Sequence, residues 1–311
     1  MPTASYTSQD VERKVNRLSA AAARRIVEPD SEVTGAVGSG QIIPDELLTI
    51  AGLDLDLSPA ERATLATEEV ASITEAGLRF EAVLEAGFSA HLALARDLTD
   101  PRITFILHEV GEETRHQRLF QRLLSQLQSR ARQPVPFCLF RLGYRAVIEA
   151  AITHKAFFYT LVLAGEEIPD LFQKIAAESP ATDPFIRDLN RYHRMEEARH
   201  LSFARTVLPE VWSATGRLDR ALVRRLAPLM IRFMFDSMVH PGVYPVVGLP
   251  AWRTWRGANR TPQRVAMRHA ATRPIVAALQ DAGAFKGARI PSAWRSLAGV
   301  PRRAQPPSAA V

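Results

Sequence analysis

Cysteine is almost missing from this chain. Cys138 is the only one, so no intrachain disulfide and no thiolate-bound zinc or iron–sulfur cluster can form within one copy. A reducing compartment suits such a sequence, and the cytoplasm is the expected location. Long apolar runs are missing too: the most hydrophobic stretch, residues 226–252, is interrupted by Arg232, Asp236, His240 and several prolines, which argues against a spanning helix and a membrane partner. The first 25 residues carry Asp10 and Glu12 and lack an apolar core, unlike a secretory signal. No Gly-x-Gly-x-x-Gly follows a strand-like segment, and there is no phosphate-binding loop or serine-hydrolase elbow, so nicotinamide, ATP and serine-nucleophile chemistry are not signalled.

With 47% hydrophobic and 23% charged residues, the composition is that of a folding, globular chain rather than a disordered one. The net charge of +6 raises the question of nucleic acid. Its arginines are spread along the chain among acids, as in Asp97-Leu-Thr-Asp-Pro-Arg102, with no basic run interleaved with aromatics, so a solvated surface is expected and no nucleic-acid partner.

The pattern that is present is helical. Ser58-Pro59 with Glu61 three residues after the serine reads as an N-cap, a first-turn proline and a capping box, opening a long helix through Arg79 and Glu81 to the Asp97–Pro101 turn. A second helix runs from Pro101 to about Leu127, with Ile106, Val110, Leu119, Leu123 and Leu127 at helical intervals. A third is expected from about Phe140 past Gly165, slowing near Pro169, and a fourth from Pro184 to Pro209. Two more, about 219–239 and 262–282, would cap the bundle. Residues 1–45 read as a short helix and a flexible Gly-rich lead-in, 46–285 as the bundle domain, and 286–311 as a disordered tail.

Chemistry enters with a near-repeat. Glu112-Glu-Thr-Arg-His116 on the second helix returns as Glu196-Glu-Ala-Arg-His200 on the fourth, and each contains Glu-x-x-His. Residues three apart on a helix project at neighbouring angles, so Glu113 with His116, and Glu197 with His200, can each offer an oxygen and a nitrogen to one metal ion. This is half of the ferritin-like plan, an all-α four-helix bundle in which the other two helices supply one glutamate each. Glu81 stands as far ahead of Glu113 as Glu166 does of Glu197, to within one residue, whereas Glu75 and Glu85 break that symmetry. Glu167 remains an alternative to Glu166. His193 extends the fourth-helix motif to His-x-x-x-Glu-x-x-His, and its three members share one face.

Four carboxylates and three imidazoles suit two iron ions, with manganese acceptable at one position, better than tetrahedral zinc. Arg115 and Arg199 fall on another face and read as ion-pair residues, and Glu85, Glu109, Glu112 and Glu196 as supporting or surface acids. His91, His108, His154, His240 and His269 have no ligand spacing.

These residues resemble the AurF-like di-iron oxygenases, the family of para-aminobenzoate N-oxygenase. The family's order of Glu, Glu-x-x-His, Glu and His-x-x-x-Glu-x-x-His falls on Glu81, Glu113 and His116, Glu166, then His193, Glu197 and His200, covering about 59–209. The resemblance implies a ferritin-like bundle with extra C-terminal helices and a non-haem monooxygenase. Its reduced di-iron centre would take up dioxygen as a peroxo di-ferric intermediate and oxygenate the nitrogen of an aryl or other small amine. It also implies electrons from a separate reductase or ferredoxin, with a homodimer among the assemblies expected. Two positions differ from the type member: Glu112 stands where that protein has an aspartate, and Asp170 replaces an asparagine expected near the substrate. The competing reading is a ferritin-like metal-binding or oxygen-sensing protein without substrate turnover.

Overall fold

The computed structural model describes residues 8–285 and 289–301. Among the described residues every regular element is helical. Four long helices form the bundle: α3 (Pro59–Ala93), α4 (Pro101–Leu127), α6 (Lys155–Glu178) and α7 (Pro184–Ser213), preceded by α1 (Ser8–Arg24) and α2 (Pro29–Glu32), with α5 (Phe137–Thr153) between the pairs. Short loops make α3–α4 and α6–α7 two antiparallel hairpins, and α5 carries the chain from one to the other, as in ferritin-like bundles.

The helix starts explain themselves locally. Ser58 accepts from the Glu61 amide at 3.3 Å while Glu61 accepts from the Ser58 amide at 2.8 Å, completing the expected capping box. Asp100 and Asp183 cap α4 and α7 through the Arg102 and Ile186 amides, and a proline follows each of the three caps. The α3 and α4 starts and the end of α4 agree with the sequence expectation.

Three expectations are corrected. The third helix is two, because the chain breaks at His154 (φ −121°, ψ 85°); Asp219 then receives the freed Ala156 and Phe157 amides at 3.3 and 3.1 Å. The fourth does not stop at Pro209 but runs through it to Ser213, as α6 runs through Pro169. And part of the expected disordered tail is ordered: α12 (Ser292–Ala298) buries Trp294 fully and Leu297 nearly so, while residues 286–288 and 302–311 lie outside the described set.

Between them lie α8 (Arg217–Ala221), a π turn (Leu222–Leu226), α9 (Ala227–Ser237), α10 (Ala251–Ala258) and α11 (Pro262–Asp281). α11 packs on α6, and α1 covers α4 and α7 with Val11 and Val15 buried. No helix is long and apolar enough to cross a membrane among the described residues.

One close approach shapes the bundle interior. A Cβ on Gly165 would lie 1.7 Å from the Phe80 ring, so only glycine lets α3 lay that ring on the α6 backbone beside Glu166.

Candidate metal centre

All seven side chains expected to converge do so, and all are buried, from Glu113, His116 and His200 at 0% exposure to Glu81 and Glu166 at 4%. Buried acids are uncommon unless paired or metal-bound, so their clustering needs a chemical reason. They fall into two groups with donor atoms within 4.8 Å of one another: Glu81, His116, His193 and Glu197 in the first, and Glu113, Glu166, Glu197 and His200 in the second. Glu197 belongs to both, its Oε1 lying 3.1 Å from His116 Nδ1 and its Oε2 3.0 Å from His200 Nδ1. Glu113 also spans them, with Oε2 3.4 Å from His116 Nδ1 and Oε1 3.3 Å from His200 Nδ1. His193 Nε2 stands 3.0 Å from Glu81 Oε1. Glu167, the alternative to Glu166, turns away to an ion pair with Arg205.

Each imidazole has one nitrogen facing inward and the other held from outside. His116 Nε2 lies 3.0 Å from Glu196, His200 Nε2 2.8 Å from Glu112, and His193 Nδ1 3.1 Å from the Gln173 side-chain oxygen. Donation of the outer N–H to these acceptors leaves the inner nitrogen as a lone-pair donor, the tautomer a metal ligand needs. Glu112 and Glu196 are steadied in turn. Arg199 reaches Glu112 at 2.9 Å, Arg115 reaches Glu196 at 3.3 Å, and the Tyr192 hydroxyl stands 3.1 Å from Glu196.

The electrostatics show what the donors lack. Glu81 Oε2, Glu113 Oε1, Glu166 Oε1 and Glu197 Oε1 are buried without a hydrogen-bond partner. Burial raises Glu81 and Glu166 well above the usual carboxylate range, reinforced by Glu113 and Glu197 respectively. Burial acts the same way on Glu197, but His200 and His193 outweigh it and hold the group well below that range. Burial and the neighbouring His116 lower His193 to about 4; for His116 and His200 burial is outweighed by surrounding carboxylates and both are raised. Four orphaned carboxylate oxygens and three inward imidazole nitrogens fit divalent cations, whose positive charge would offset the crowding.

Sequence reasoning missed Gln173, although it lies two turns after Glu166 on the same face of α6. It also left Glu109 among the supporting or surface acids. One turn before Glu113, this side chain is fully buried with neither oxygen partnered, and burial raises it well above the usual range. Asp170, expected near the substrate, instead pairs with Arg194 at 2.7 Å and is absent from the wall of the adjoining cavity. The five other histidines stay outside both donor groups.

Uncharacterized proteins of Mycobacterium tuberculosis and Mycobacterium bovis are each 29% identical to this chain over 174 residues, 55% of it. That match spans about half the length of these relatives, 50% in each case. The profile of the family described as P-aminobenzoate N-oxygenase AurF matches residues 8–283, well beyond the four bundle helices, and the chain therefore belongs to that family of oxygenases.

Proposed function

We propose that this protein is a non-haem di-iron monooxygenase that transfers oxygen from dioxygen to the nitrogen of a small amine. Glu81, His116 and His193 would hold one iron and Glu166 and His200 the other, with the carboxylates of Glu113 and Glu197 available to both. Manganese is acceptable at one position. The observation that carries this reading is the sharing of Glu197 between two buried donor groups, because a single ion would not need both its oxygens aimed at different imidazoles.

When bound, the iron pair supplies dioxygen activation. The chain's own residues do the rest. Glu112, Glu196 and Gln173 fix the ligand tautomers, and the Arg115 and Arg199 guanidiniums hold the two glutamates in place. Phe80 and Phe120 line the adjoining cavity beside Glu81 and His193 and limit the access of water to them. A separate reductase or ferredoxin supplies electrons, and the protein works in the cytoplasm.

The test is iron content followed by turnover. The purified chain is expected to bind about two irons, the complement of a two-metal site, and Glu113→Ala and His200→Ala to lose iron. Reduced, iron-loaded protein given oxygen and a panel of amines should yield products heavier by oxygen, detected by mass. Full iron retention in both variants rejects the ligand assignment; two irons per chain without any oxygenated product favours a metal-binding protein without turnover.

A further inference from the structure

The cavity beside the donor cluster constrains what can enter it. It has a volume of about 140 Å³ and lies among α3, α4, α6 and α7, with Met234 and Met238 contributing from the α9 side. A cavity of roughly 150 Å³ holds benzene, so the space fits one ring with small substituents. Glu81, Glu166 and His193 of the donor cluster belong to its wall; the remainder is dominated by side chains such as Ile73, Phe80, Phe120, Leu123, Phe172 and Leu189.

Among the described residues the wall contains no lysine and no arginine. Its polar side chains outside the cluster are neutral and largely committed. Thr74 donates to the Val70 carbonyl at 2.7 Å, Gln173 Oε1 faces His193, and the Asn190 amide donates to the Ile186 carbonyl at 2.8 Å. Three nearby arginines are engaged elsewhere. Arg79 pairs with Glu75 at 2.7 Å, Arg194 with Asp170, and Arg264 lies over the Phe172 ring at 5.1 Å while donating to the Phe235 carbonyl. With the amine toward Glu81 and Glu166, a carboxylate at the far side of the ring would lie against the apolar wall, desolvated with no cationic side chain opposite it.

We propose that the substrate is an uncharged ring amine without an acidic substituent, its amine end toward Glu81 and Glu166 and its apolar end against Phe172. This rests on the oxygenase reading above, and it sets the chain apart from the amino acid in its family's description. Aromatic amines are neutral at pH 7 and lose little on entering such a wall; the same ring carrying a carboxylate loses its hydration and gains no partner.

The test is binding without turnover: p-toluidine and p-aminobenzoate titrated calorimetrically into the full-length protein without oxygen, metal-free and iron(II)-loaded in parallel. p-Toluidine is expected to bind tighter by about a hundredfold, the consequence of burying an unpaired charge. Ala176→Phe, which fills the cavity from α6, should abolish its binding; Ile73→Arg, at a half-buried wall position, should raise affinity for p-aminobenzoate at least about tenfold by supplying the missing cation. Equal or tighter binding of p-aminobenzoate by the native chain overturns the proposal whether or not the variants fold. Because neither oxygen nor product is involved, a chain that holds no iron or turns nothing over still gives this answer, which separates failure here from failure of the oxygenase reading.

Discussion

Glu112 lies 2.8 Å from Nε2 of His200, and Glu196 lies 3.0 Å from Nε2 of His116, so the leading glutamate of each motif supports the histidine of the other. This exchange ties α4 to α7 across the centre and makes the near-repeat a structural device as well as a ligand set. Glu112→Ala and Glu196→Ala should each weaken iron binding by about 10–100-fold, the usual effect of losing the partner of a ligand histidine. Competition with a chelator measures it. Glu85→Ala, removing a half-exposed acid held by the Gln117 side chain and the Thr114 hydroxyl (3.3 Å) and not by a ligand histidine, should change iron affinity far less; equal loss in all three variants would reduce the exchange to general electrostatics.

The cluster was legible because helical periodicity converts spacing into direction: Glu113, His116, His193, Glu197 and His200 had to share faces once α4 and α7 formed, Glu81 followed from the matching offset, and the same offset left Glu166 and Glu167 open until the packed bundle turned Glu167 to Arg205. The capping box at Ser58 and the prolines at 59, 101 and 184 marked helix starts through local chemistry that needs no tertiary contact. What stayed hidden depended on distant partners. The break at His154 carries no glycine or proline and is stabilised by Asp219 from another element. Pro209 reads as a stop, yet α7 continues because Val207, Leu208 and Trp212 on both sides of it are buried in the core. Gln173 and Asp170 look equally polar in sequence, and only the packed bundle aims one at His193 and the other at Arg194.

Gly165→Ala sets two effects against each other. Alanine favours a helix by about 1 kcal/mol over glycine, but its Cβ would meet Phe80 carbons at 1.7 and 1.9 Å, too close for the ring to remain. Overpacking of this kind costs about 1–3 kcal/mol, so the net expectation is destabilisation in urea unfolding. The displaced ring should also narrow the cavity and weaken amine binding. A variant more stable than the native chain would mean that Phe80 relocates freely.

Trp294 shows how far the C-terminal segment belongs to the core. Its ring is fully buried, its Nε1 donates to the Val223 carbonyl in the π turn at 3.0 Å, and Phe285 packs 5.9 Å away. Trp294→Ala should cost about 3–5 kcal/mol through the cavity it leaves, measured by chemical denaturation. A loss below about 1 kcal/mol, the scale of surface substitutions, would mean that α12 contributes little to the folded state.

Glu69 gives a pH dependence separate from the metal centre. Fully buried, it accepts from the Thr49 amide at 2.9 Å and from the Thr49 hydroxyl, which also stands 2.8 Å from the Tyr244 hydroxyl. Burial raises it to about 7, against the opposing influence of the Thr49 hydrogen bonds and Arg264. Since the folded chain holds this proton more tightly than the unfolded one, its stabilising contribution is complete below about pH 4.5 and is lost as the pH rises through about 7. The loss amounts to roughly 3 kcal/mol, from about 1.36 kcal/mol for each pH unit of the interval. Glu69→Gln keeps an oxygen for the Thr49 amide but cannot ionise. Its stability relative to the native chain should therefore climb by about that amount between pH 4.5 and 7 and then level off, a difference that cancels the titration of every other group. Denaturation curves of both proteins across this range, in the metal-free state, test it; a constant difference would mean that Glu69 ionises as readily folded as unfolded.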